Sequence, residues 1–354
     1  MTIVAHERRF VIGVDTHART HTLAILAADG EHIDTAQFPT SPAGISRAID
    51  WAARRTGADQ DALWAIEGVG SYGANLARQV TEAGHQVVEA PAGYAKRRAN
   101  GKSDPADAAA IAAATLATDT SRLRQPRDDQ GIRAAIRVLA AAREDMARER
   151  TSHVNALTAL LRTTALGVDA RKPLTKTSIR QIASWRPRHE PLAASVARAE
   201  AVRLARRAID LDHQLNANEK TITGLIKQSP ASPLLDKTGI GPVTVAAVLV
   251  AWSHQGRVRS EAAFAALAGV NPIPASSGNT IRHRLNRSGD RKLNRALHMA
   301  TITRMRTDPE TRAYVDRRTT EGRTTKEIRR CLKRYLCRQI YRLLNSLYAT
   351  PATT

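Results

Sequence analysis

The apolar positions near the start of the chain predict three successive strands. Phe10 to Val14 and Thr22 to Ala27 are short β-prone runs, and the Asp29-Gly30 pair after the second run is typical of a tight hairpin. A third strand is predicted over His32 to Phe38. A single acid, Asp15, ends the first run. Such a carboxylate needs a hydrogen bond, a cation or a metal, although an Asp at a strand end is most often a turn or cap residue.

Beyond this meander, helical and strand patterns alternate. Apolar spacing and short apolar runs predict, in chain order, helix 42–55, strand 62–67, helix 72–83, strand 87–89 and helix 106–116. The order β-β-β-α-β-α-β-α predicts an α/β fold with a mixed sheet and helices on its faces. A ribonuclease-H-like nuclease core has this order. It would place Asp15 on the first strand and Glu67 at the end of the fourth.

Two long charged segments, 131–164 and 193–226, carry apolar residues at helical spacing. The link between them, 167–191, contains Pro and Gly. This pattern predicts a helical hairpin or coiled coil that spaces domains or holds a dimer together. The alternative, in which both helices simply pack on a core, fits the pattern equally well.

The region from Leu234 onward predicts a mostly helical C-terminal domain. Gly239-Ile-Gly241 resembles the turn of a helix-hairpin-helix module, whose backbone N–H groups approach DNA phosphates, although a tight turn between helices explains it as well. The helix that begins after Pro242 is expected to end at Phe264 to Gly269. We expect three domains, at 9–125, 130–228 and 232–348.

The charge balance indicates a polyanionic partner. The chain carries 54 Lys and Arg against 33 Asp and Glu, a formal net charge of +21. A membrane-surface protein is the rival interpretation. The sequence has no long apolar stretch, signal peptide or lipidation motif, so a cytoplasmic, nucleoid-associated protein is expected. Cys331 and Cys337 fit neither a disulfide framework nor a zinc site.

Much of the positive charge lies near the C-terminus. Between Arg282 and Arg342 the chain has 19 Lys and Arg against 6 Asp and Glu, which predicts a phosphate-binding surface rather than a solvated face. Aromatic residues make up only 4 %, so contact with a nucleic-acid backbone is favoured over base stacking. The residues predicted to bind nucleic acid are Gly239, Gly241, Arg282, Arg284, Arg287, Arg291, Lys292 and Arg295.

Four acids are the first candidates for catalysis. Asp104 and Asp107 lie three residues apart at a predicted helix start, where capping and the helix dipole already account for them. In a ribonuclease-H-like sheet, however, both would converge with Asp15 and Glu67 on one edge. Four carboxylates repel one another unless divalent cations neutralise them. This predicts a Mg²⁺ site, with Mn²⁺ as the alternative ion, for two-metal phosphodiester chemistry.

The Ser276-Ser277-Gly278 loop is a second candidate. A serine in a Pro- and Gly-rich loop is usually a turn residue. Here Arg282 and Arg284 follow, and such cations could stabilise charge that develops on a phosphate. A serine nucleophile would use them, although no general base is evident nearby.

These motifs together carry a family resemblance. The contexts Gly-Val-Asp15-Thr-His, Ile-Glu67-Gly-Val-Gly-Ser-Tyr, Lys-Ser-Asp104-Pro-Ala-Asp107 and Gly-Val-Asn-Pro-Ile-Pro-Ala-Ser-Ser-Gly resemble those of the DEDD transposases of bacterial insertion-sequence family one-ten. The pilin-inversion recombinase is a relative of that family. The resemblance covers nearly the whole chain.

The resemblance implies a RuvC-like N-terminal domain, a helical middle and a C-terminal transposase domain. It implies that metal is held by the four acids Asp15, Glu67, Asp104 and Asp107. They would act with a serine, Ser277 or alternatively Ser276, that links covalently to double-stranded DNA in a site assembled across a dimer or a dimer of dimers. It also implies an element-encoded noncoding guide RNA (a bridge RNA) that pairs with donor and target DNA.

Other functions fit parts of the sequence. A Mg²⁺-dependent, Holliday-junction-type endonuclease would use the acids without a serine, but the C-terminal region with its Ser-Ser-Gly loop argues against it. A sugar-kinase or actin-like ATPase requires a second Gly-rich phosphate loop, which the sequence lacks. In a non-catalytic DNA-binding protein the acids would be caps. The sequence favours a DNA transposase or site-specific recombinase that cuts and rejoins strands to mobilise an insertion sequence.

Overall fold

The computed structural model of the chain describes residues 2–91, 104–127, 130–275 and 283–349. It divides into two compact units, Met1–Arg127 and Asp128–Thr354, which we call the N-terminal and the C-terminal unit. The predicted combination of an α/β part followed by a mostly helical part is confirmed. The division into three domains stays a prediction.

The N-terminal unit is built on a mixed five-stranded sheet. Its elements are α1 (Val4–Glu7), β1 (Phe10–Thr16), β2 (Thr20–Ala27), β3 (His32–Pro39), α2 (Pro42–Thr56), β4 (Leu63–Ile66), α3 (Ala74–Glu82), β5 (Val87–Glu89) and α4 (Asp104–Leu116). In the sheet order β3-β2-β1-β4-β5, the first three strands are antiparallel, and β4 runs parallel to β1 and β5. Apart from the short α1, this is the order of elements that the sequence predicts.

Strand β1 contributes to two separate hydrophobic cores because its side chains alternate between the faces of the sheet. Ile12 packs with residues of α2 and α3 on one face, and Val11 packs with residues of α4 on the other. Gly13 also faces α4, since a Cβ at this position would lie 2.2 Å from the Ala108 carbonyl oxygen. The alanine-rich α4 therefore lies directly on β1.

The C-terminal unit is mostly helical. Its helices are α5 (Gly131–Thr163), α6 (Lys176–Ala183), α7 (Leu192–Lys227), α8 (Pro242–Trp252), α9 (Glu261–Leu267), α10 (Arg291–Thr307), α11 (Pro309–Thr320) and α12 (Thr325–Leu347), and a small hairpin is formed by β6 (Pro272–Pro274) and β7 (His283–Leu285). Helices α8, α9, α10 and α12 enclose a core around Trp252 and Phe264. None of the helices in the described ranges is long and apolar enough to cross a membrane.

Helices α5 and α7 form an antiparallel hairpin. Arg143 donates a hydrogen bond to Glu219 at 2.8 Å, whereas Arg150, later on α5, donates to Asp212, earlier on α7, at 2.7 Å. One end of the hairpin joins the core around Trp252 through Ile136, Ile222 and Ile226. The two helices therefore pair with each other and also pack on a core, whereas a role of the hairpin in spacing domains or holding a dimer together stays a prediction.

The single helix expected from Pro242 to Gly269 is wrong. Helix α8 ends at Trp252, and Ser253 has a φ of 71°, which a continuing helix does not allow. Helix α9 begins after Ser260, whose side chain accepts a hydrogen bond from the Ala263 N–H. The break depends on local backbone and capping geometry, which the apolar pattern does not show.

Candidate active site and nucleic-acid interface

The buried carboxylate of Asp15 is the centre of the candidate active site. Asp15 lies near the end of β1, is only 5 % exposed, and belongs to the face of the strand that α4 covers. Gly13, two residues earlier on the same face, leaves room for the backbone of α4. This close packing brings Asp104, the first residue of α4, near Asp15.

His17 connects the two carboxylates. Its Nε2 lies 3.2 Å from Asp15 Oδ2 and 3.5 Å from Asp104 Oδ1. One donor atom from each of these three residues lies within 4.8 Å of the others, a spacing at which a single metal ion could be held. Reasoning from the sequence does not select His17. The available signal is its position two residues after Asp15, since such residues share one face of an extended chain.

Glu67 reaches the same edge of the sheet from β4. Its N–H donates to the Val14 carbonyl oxygen at 3.0 Å, and Thr16 Oγ1 donates to the Glu67 carbonyl oxygen at 3.0 Å. The following turn begins with Gly68 at a φ of +59°, and a Cβ on Gly73 would lie 2.6 Å from the Glu67 carbonyl oxygen. Glycine at these two positions lets the chain turn back closely after Glu67.

The surroundings of Asp15 favour its protonated form. Burial raises the pKa of Asp15 above its usual value, and the negative charges of Glu67 and Asp104 raise it further, while the nearby His17 opposes this. A side-chain hydrogen bond between Asp15 and Glu67 also raises the pKa of Asp15, because two carboxyl groups share such a bond only when one keeps its proton. A divalent cation would neutralise the same charges.

The fourth predicted acid, Asp107, lies one helical turn after Asp104 and is 7 % exposed. In the part of the chain that the structure describes, the close group of donor atoms consists of Asp15, His17 and Asp104, and Glu67 joins it through its hydrogen bond to Asp15. The structure thus brings three of the four acids together. The contribution of Asp107 stays a prediction.

The donor set fits a divalent cation that prefers oxygen ligands. Asp15 and Asp104 offer carboxylate oxygens within reach of one ion, and Glu67 supplies a third carboxylate beside Asp15. Mg²⁺ is usually bound through one or two carboxylates and keeps several waters. The side chain of Asp104 is 44 % exposed, which leaves one side of the site open to such waters. Mn²⁺ accepts the same kinds of ligand.

The predicted nucleophile, Ser277 or Ser276, lies outside the described residues, as does Arg282. On either side of this segment, β6 and β7 pair antiparallel, with Pro274 opposite His283. The serine assignment therefore stays a prediction.

The base of the β6–β7 hairpin is tightly packed. Asn286 Nδ2 donates to Asn271 Oδ1 at 2.6 Å. Gly269 and Gly289 both have positive φ, and a Cβ on Gly289 would lie 2.7 Å from the Gly269 nitrogen. Two glycines in direct backbone contact thus hold the start of α10 against the end of α9.

The two glycines of the predicted phosphate-binding turn differ. Gly239 has a φ of +78° and packs against α10, where a Cβ would lie 2.7 Å from the Ala300 carbonyl oxygen. Gly241 is the N-cap of α8, has an extended backbone, and has no described atom within 4 Å of its Cβ position. Packing accounts for glycine at 239, whereas nothing in the described surroundings requires it at 241. Phosphate binding at both stays a prediction.

The other predicted nucleic-acid contacts lie on the hairpin, on the turn after it and on the first turns of α10. All of them are exposed: Arg284, Arg287, Arg291, Lys292 and Arg295. Lys292 forms an ion pair with Glu144 of α5, and this contact lowers the pKa of Glu144. The four arginines form no ion pair with any described residue, although the charge of Arg295 also lowers the pKa of Glu144. Phosphate binding by these residues stays a prediction.

Comparison with known proteins identifies the family. Residues 12–165 match the IS110 DEDD model, described as "Transposase", and residues 231–316 match the model described as "Transposase IS116/IS110/IS902 family". The chain belongs to the IS110 family of transposases. A transposase binds DNA and cuts and rejoins it, so this is a DNA-processing enzyme of an insertion element.

Two relatives of this transposase are proteins of insertion elements. The "Insertion element IS110 uncharacterized 43.6 kDa protein" of Streptomyces coelicolor is 27 % identical in an alignment of 365 positions that covers 88 % of each chain. The "Insertion element IS900 uncharacterized 42 kDa protein" of Mycobacterium paratuberculosis is 26 % identical in an alignment of 397 positions that covers 97 % of each chain. Both similarities extend over both units of the transposase.

Proposed function

We propose that the acidic edge of the N-terminal unit holds the divalent cations with which this transposase cuts and rejoins DNA. The supporting observation is the group of Asp15, Glu67 and Asp104, in which burial first, and then the negative charges of the other two acids, raise the pKa of Asp15. Asp107, three residues after Asp104, completes the proposed set of four. The proposed ion is Mg²⁺, with Mn²⁺ as a substitute; when bound, it neutralises phosphate charge and favours deprotonation of an attacking group.

The proposed nucleophile is Ser277, with Ser276 as the alternative. The serine hydroxyl gives up its proton, and its oxygen bonds to the phosphorus of a DNA phosphodiester. The bond from phosphorus to one deoxyribose oxygen breaks, and that oxygen takes up a proton and leaves as a hydroxyl. Attack by the hydroxyl of another strand reverses the step, which rejoins DNA and frees the serine. The match of residues 231–316, which include both serines, to the transposase family supports this assignment.

We further propose that an element-encoded noncoding guide RNA selects the DNA, and that the site is completed in a homo-oligomer, a dimer or a dimer of dimers. The net charge of +21 supports a large polyphosphate partner. Because the substrate would be chromosomal DNA, the proposal also places the protein in the cytoplasm, at the nucleoid.

The test is cleavage of DNA from the element's ends in Mg²⁺, with and without RNA from the element's flank, followed by denaturing protein gels. A protein–DNA adduct that persists in Ser276→Ala and is lost in Ser277→Ala supports the serine assignment, and the two variants serve as controls for each other. Cleaved DNA without any adduct, abolished by Asp15→Ala, would instead indicate a metal-dependent junction endonuclease. Equal cleavage with and without RNA would contradict the guide RNA.

A further inference from the structure

A cavity with strongly basic walls lies within the C-terminal unit. Its volume is about 620 Å³, and it is bounded by the β6–β7 hairpin and by α11 and α12. Its positive walls are formed by Arg284, Arg318, Arg323, Arg330, Lys333 and Arg334. Glu327 is the one acid among the described residues that line it.

The positive charge of this basic cavity is poorly balanced from within. The carboxylate of Glu327 is engaged in capping α12, where it accepts hydrogen bonds from the Thr324 N–H and Oγ1. Arg318 pairs with Glu321. No ion pair to any described carboxylate is formed by the remaining cations Arg284, Arg323, Arg330, Lys333 and Arg334.

Lys333 is held in place despite these surroundings. Its Nζ donates to Asn294 Oδ1 at 2.7 Å, and the Asn294 amide is itself fixed by donating to the Ala268 and Gly269 carbonyl oxygens at 2.7 and 3.2 Å. Burial lowers the pKa of Lys333, and the neighbouring positive charge of Arg329 lowers it further. A cation that is held partly out of water beside another cation is stabilised when an anion enters.

The chemistry of the walls fits a nucleic-acid backbone better than it fits bases. None of the lining residues within the described ranges is Phe, Tyr or Trp, so bases would have no large ring to stack on. Arginine binds phosphate through paired hydrogen bonds, and lysine adds a compact charge. Because the cations come from the hairpin, α11, α12 and the turn between the two helices, they can contact more than one phosphate.

We propose that the basic cavity binds the sugar-phosphate backbone of a DNA strand, with Lys333 as its fixed anchor. The choice of DNA rests on the proposed function, because the hairpin that forms one wall flanks Ser276 and Ser277 in the sequence. Binding of this kind carries no base specificity and positions the strand by its phosphates.

The two native cysteines allow a test that needs no engineered probe. Cys331 is half-buried and lies in the wall of the cavity. Cys337 is fully buried, and burial raises its pKa to about 12. A neutral maleimide should therefore modify Cys331 and spare Cys337, and modification of Cys337 reports loss of the fold.

The experiment measures the rate of Cys331 modification in the full-length protein by peptide mass spectrometry, in EDTA so that no cleavage occurs. The probes are duplex DNA of arbitrary sequence and an RNA of matched length, each at saturation by fluorescence anisotropy. DNA is expected to slow the modification about tenfold or more, with less protection as salt rises. An unchanged rate with saturating DNA, or protection by RNA but not by DNA, would overturn the proposal.

Lys333→Met should weaken DNA binding and reduce the slope of log affinity against log salt by about 1. Lys326→Met is the matched control, because Lys326 is exposed on the same helix and does not line the cavity. Equal slopes in both variants would contradict the role of Lys333. A further outcome is that DNA protects Cys331 while no protein–DNA adduct forms in Mg²⁺. This pair of results would contradict the serine chemistry and would still support the cavity as a DNA site.

Discussion

Each unit of this transposase contains a cluster of like charges, an acidic edge in the N-terminal unit and a basic cavity in the C-terminal unit. The two clusters differ in spatial extent. At the acidic edge, Asp15, Glu67 and Asp104 come together, and the donor atoms of Asp15, His17 and Asp104 lie within 4.8 Å of one another. The basic cavity spreads its cations around about 620 Å³. The closely spaced acids suit a single metal ion, whereas the widely spaced cations of the basic cavity suit an extended polyanion.

The α5–α7 hairpin shows a different arrangement, in which opposite charges are paired. In the α5–α7 hairpin, Arg143 and Arg150 each pair with a carboxylate of the facing helix. At the acidic edge and in the basic cavity, by contrast, the surroundings disfavour one charged group: the pKa of the buried Asp15 is raised and that of the partly buried Lys333 is lowered, in both cases chiefly by burial. Because burial disfavours the charged form in both places, a ligand of opposite charge would stabilise each arrangement.

The largest effect is expected from Asp15→Asn. The amide keeps the size of the side chain but removes its negative charge, so metal affinity should fall and DNA cleavage should drop about a thousand-fold or more. Mn²⁺ titration calorimetry and the cleavage assay measure the two effects. Asp29→Asn is the control, because Asp29 accepts a hydrogen bond from the Glu31 N–H in a turn, as an asparagine also can. Cleavage within tenfold of the parent protein would show that Asp15 is a structural acid.

The next effect is steric. Gly13→Ala places a methyl group 2.2 Å from the Ala108 carbonyl oxygen, so α4 must move away from β1. We expect a loss of about 1–3 kcal/mol in the free energy of unfolding and weaker Mn²⁺ binding, because Asp104 moves with α4. Gly70→Ala is the control, since a Cβ there meets nothing within 4 Å. Denaturant unfolding and calorimetry should separate the variants; a fully stable Gly13→Ala protein would contradict the close packing.

The acidic edge also shows which parts of the site can be predicted from the sequence. The strands could be predicted because they are short apolar runs closed by turn residues, and acids at the ends of β1 and β4 meet because those strands are parallel neighbours. His17 lies beside Asp15 because the two are close in sequence, whereas its approach to Asp104 depends on where α4 packs, and this is set by contact between Gly13 and the Ala108 backbone. Apolar periodicity contains no information about that contact.

The basic cavity could not be predicted from the sequence in the same way. A count of residues locates the positive charge between Arg282 and Arg342, but it cannot tell which cations are neutralised. Lys292 pairs with Glu144, which is distant in the sequence, whereas Lys333 Nζ has only the side-chain oxygen Oδ1 of Asn294 as its hydrogen-bond partner among the described residues. Ion pairing between helices is decided by tertiary packing, so the cavity could not be derived from local composition.

Stability offers a finer comparison of paired and unpaired cations. Arg150→Met leaves Asp212 without its hydrogen-bonded partner and should lower the free energy of unfolding by about 1 kcal/mol or more. Lys333→Met removes a desolvated charge and should leave that free energy unchanged or raise it. Urea unfolding of both variants measures this difference. If Lys333→Met were the more destabilised protein, Lys333 would be a structural residue rather than an anchor for an anion.

The smallest effect concerns a charge that is balanced within the protein. Hydrogen bonds from Arg342 and Arg338 of α12 lower the pKa of Glu261 from 4.5 to about 2. A lowered pKa means that these contacts stabilise the fold fully above about pH 4.5, and that this contribution is lost as the pH falls toward 2. Glu261→Gln should therefore lower the melting temperature slightly at neutral pH. The difference in melting temperature between this variant and the parent protein should become smaller as the pH falls toward 2. Glu310→Gln, at an exposed acid with no ion pair among the described residues, should show no such narrowing. If the difference in melting temperature between Glu261→Gln and the parent protein stays constant from neutral pH into acid, α9 and α12 are held together by packing alone.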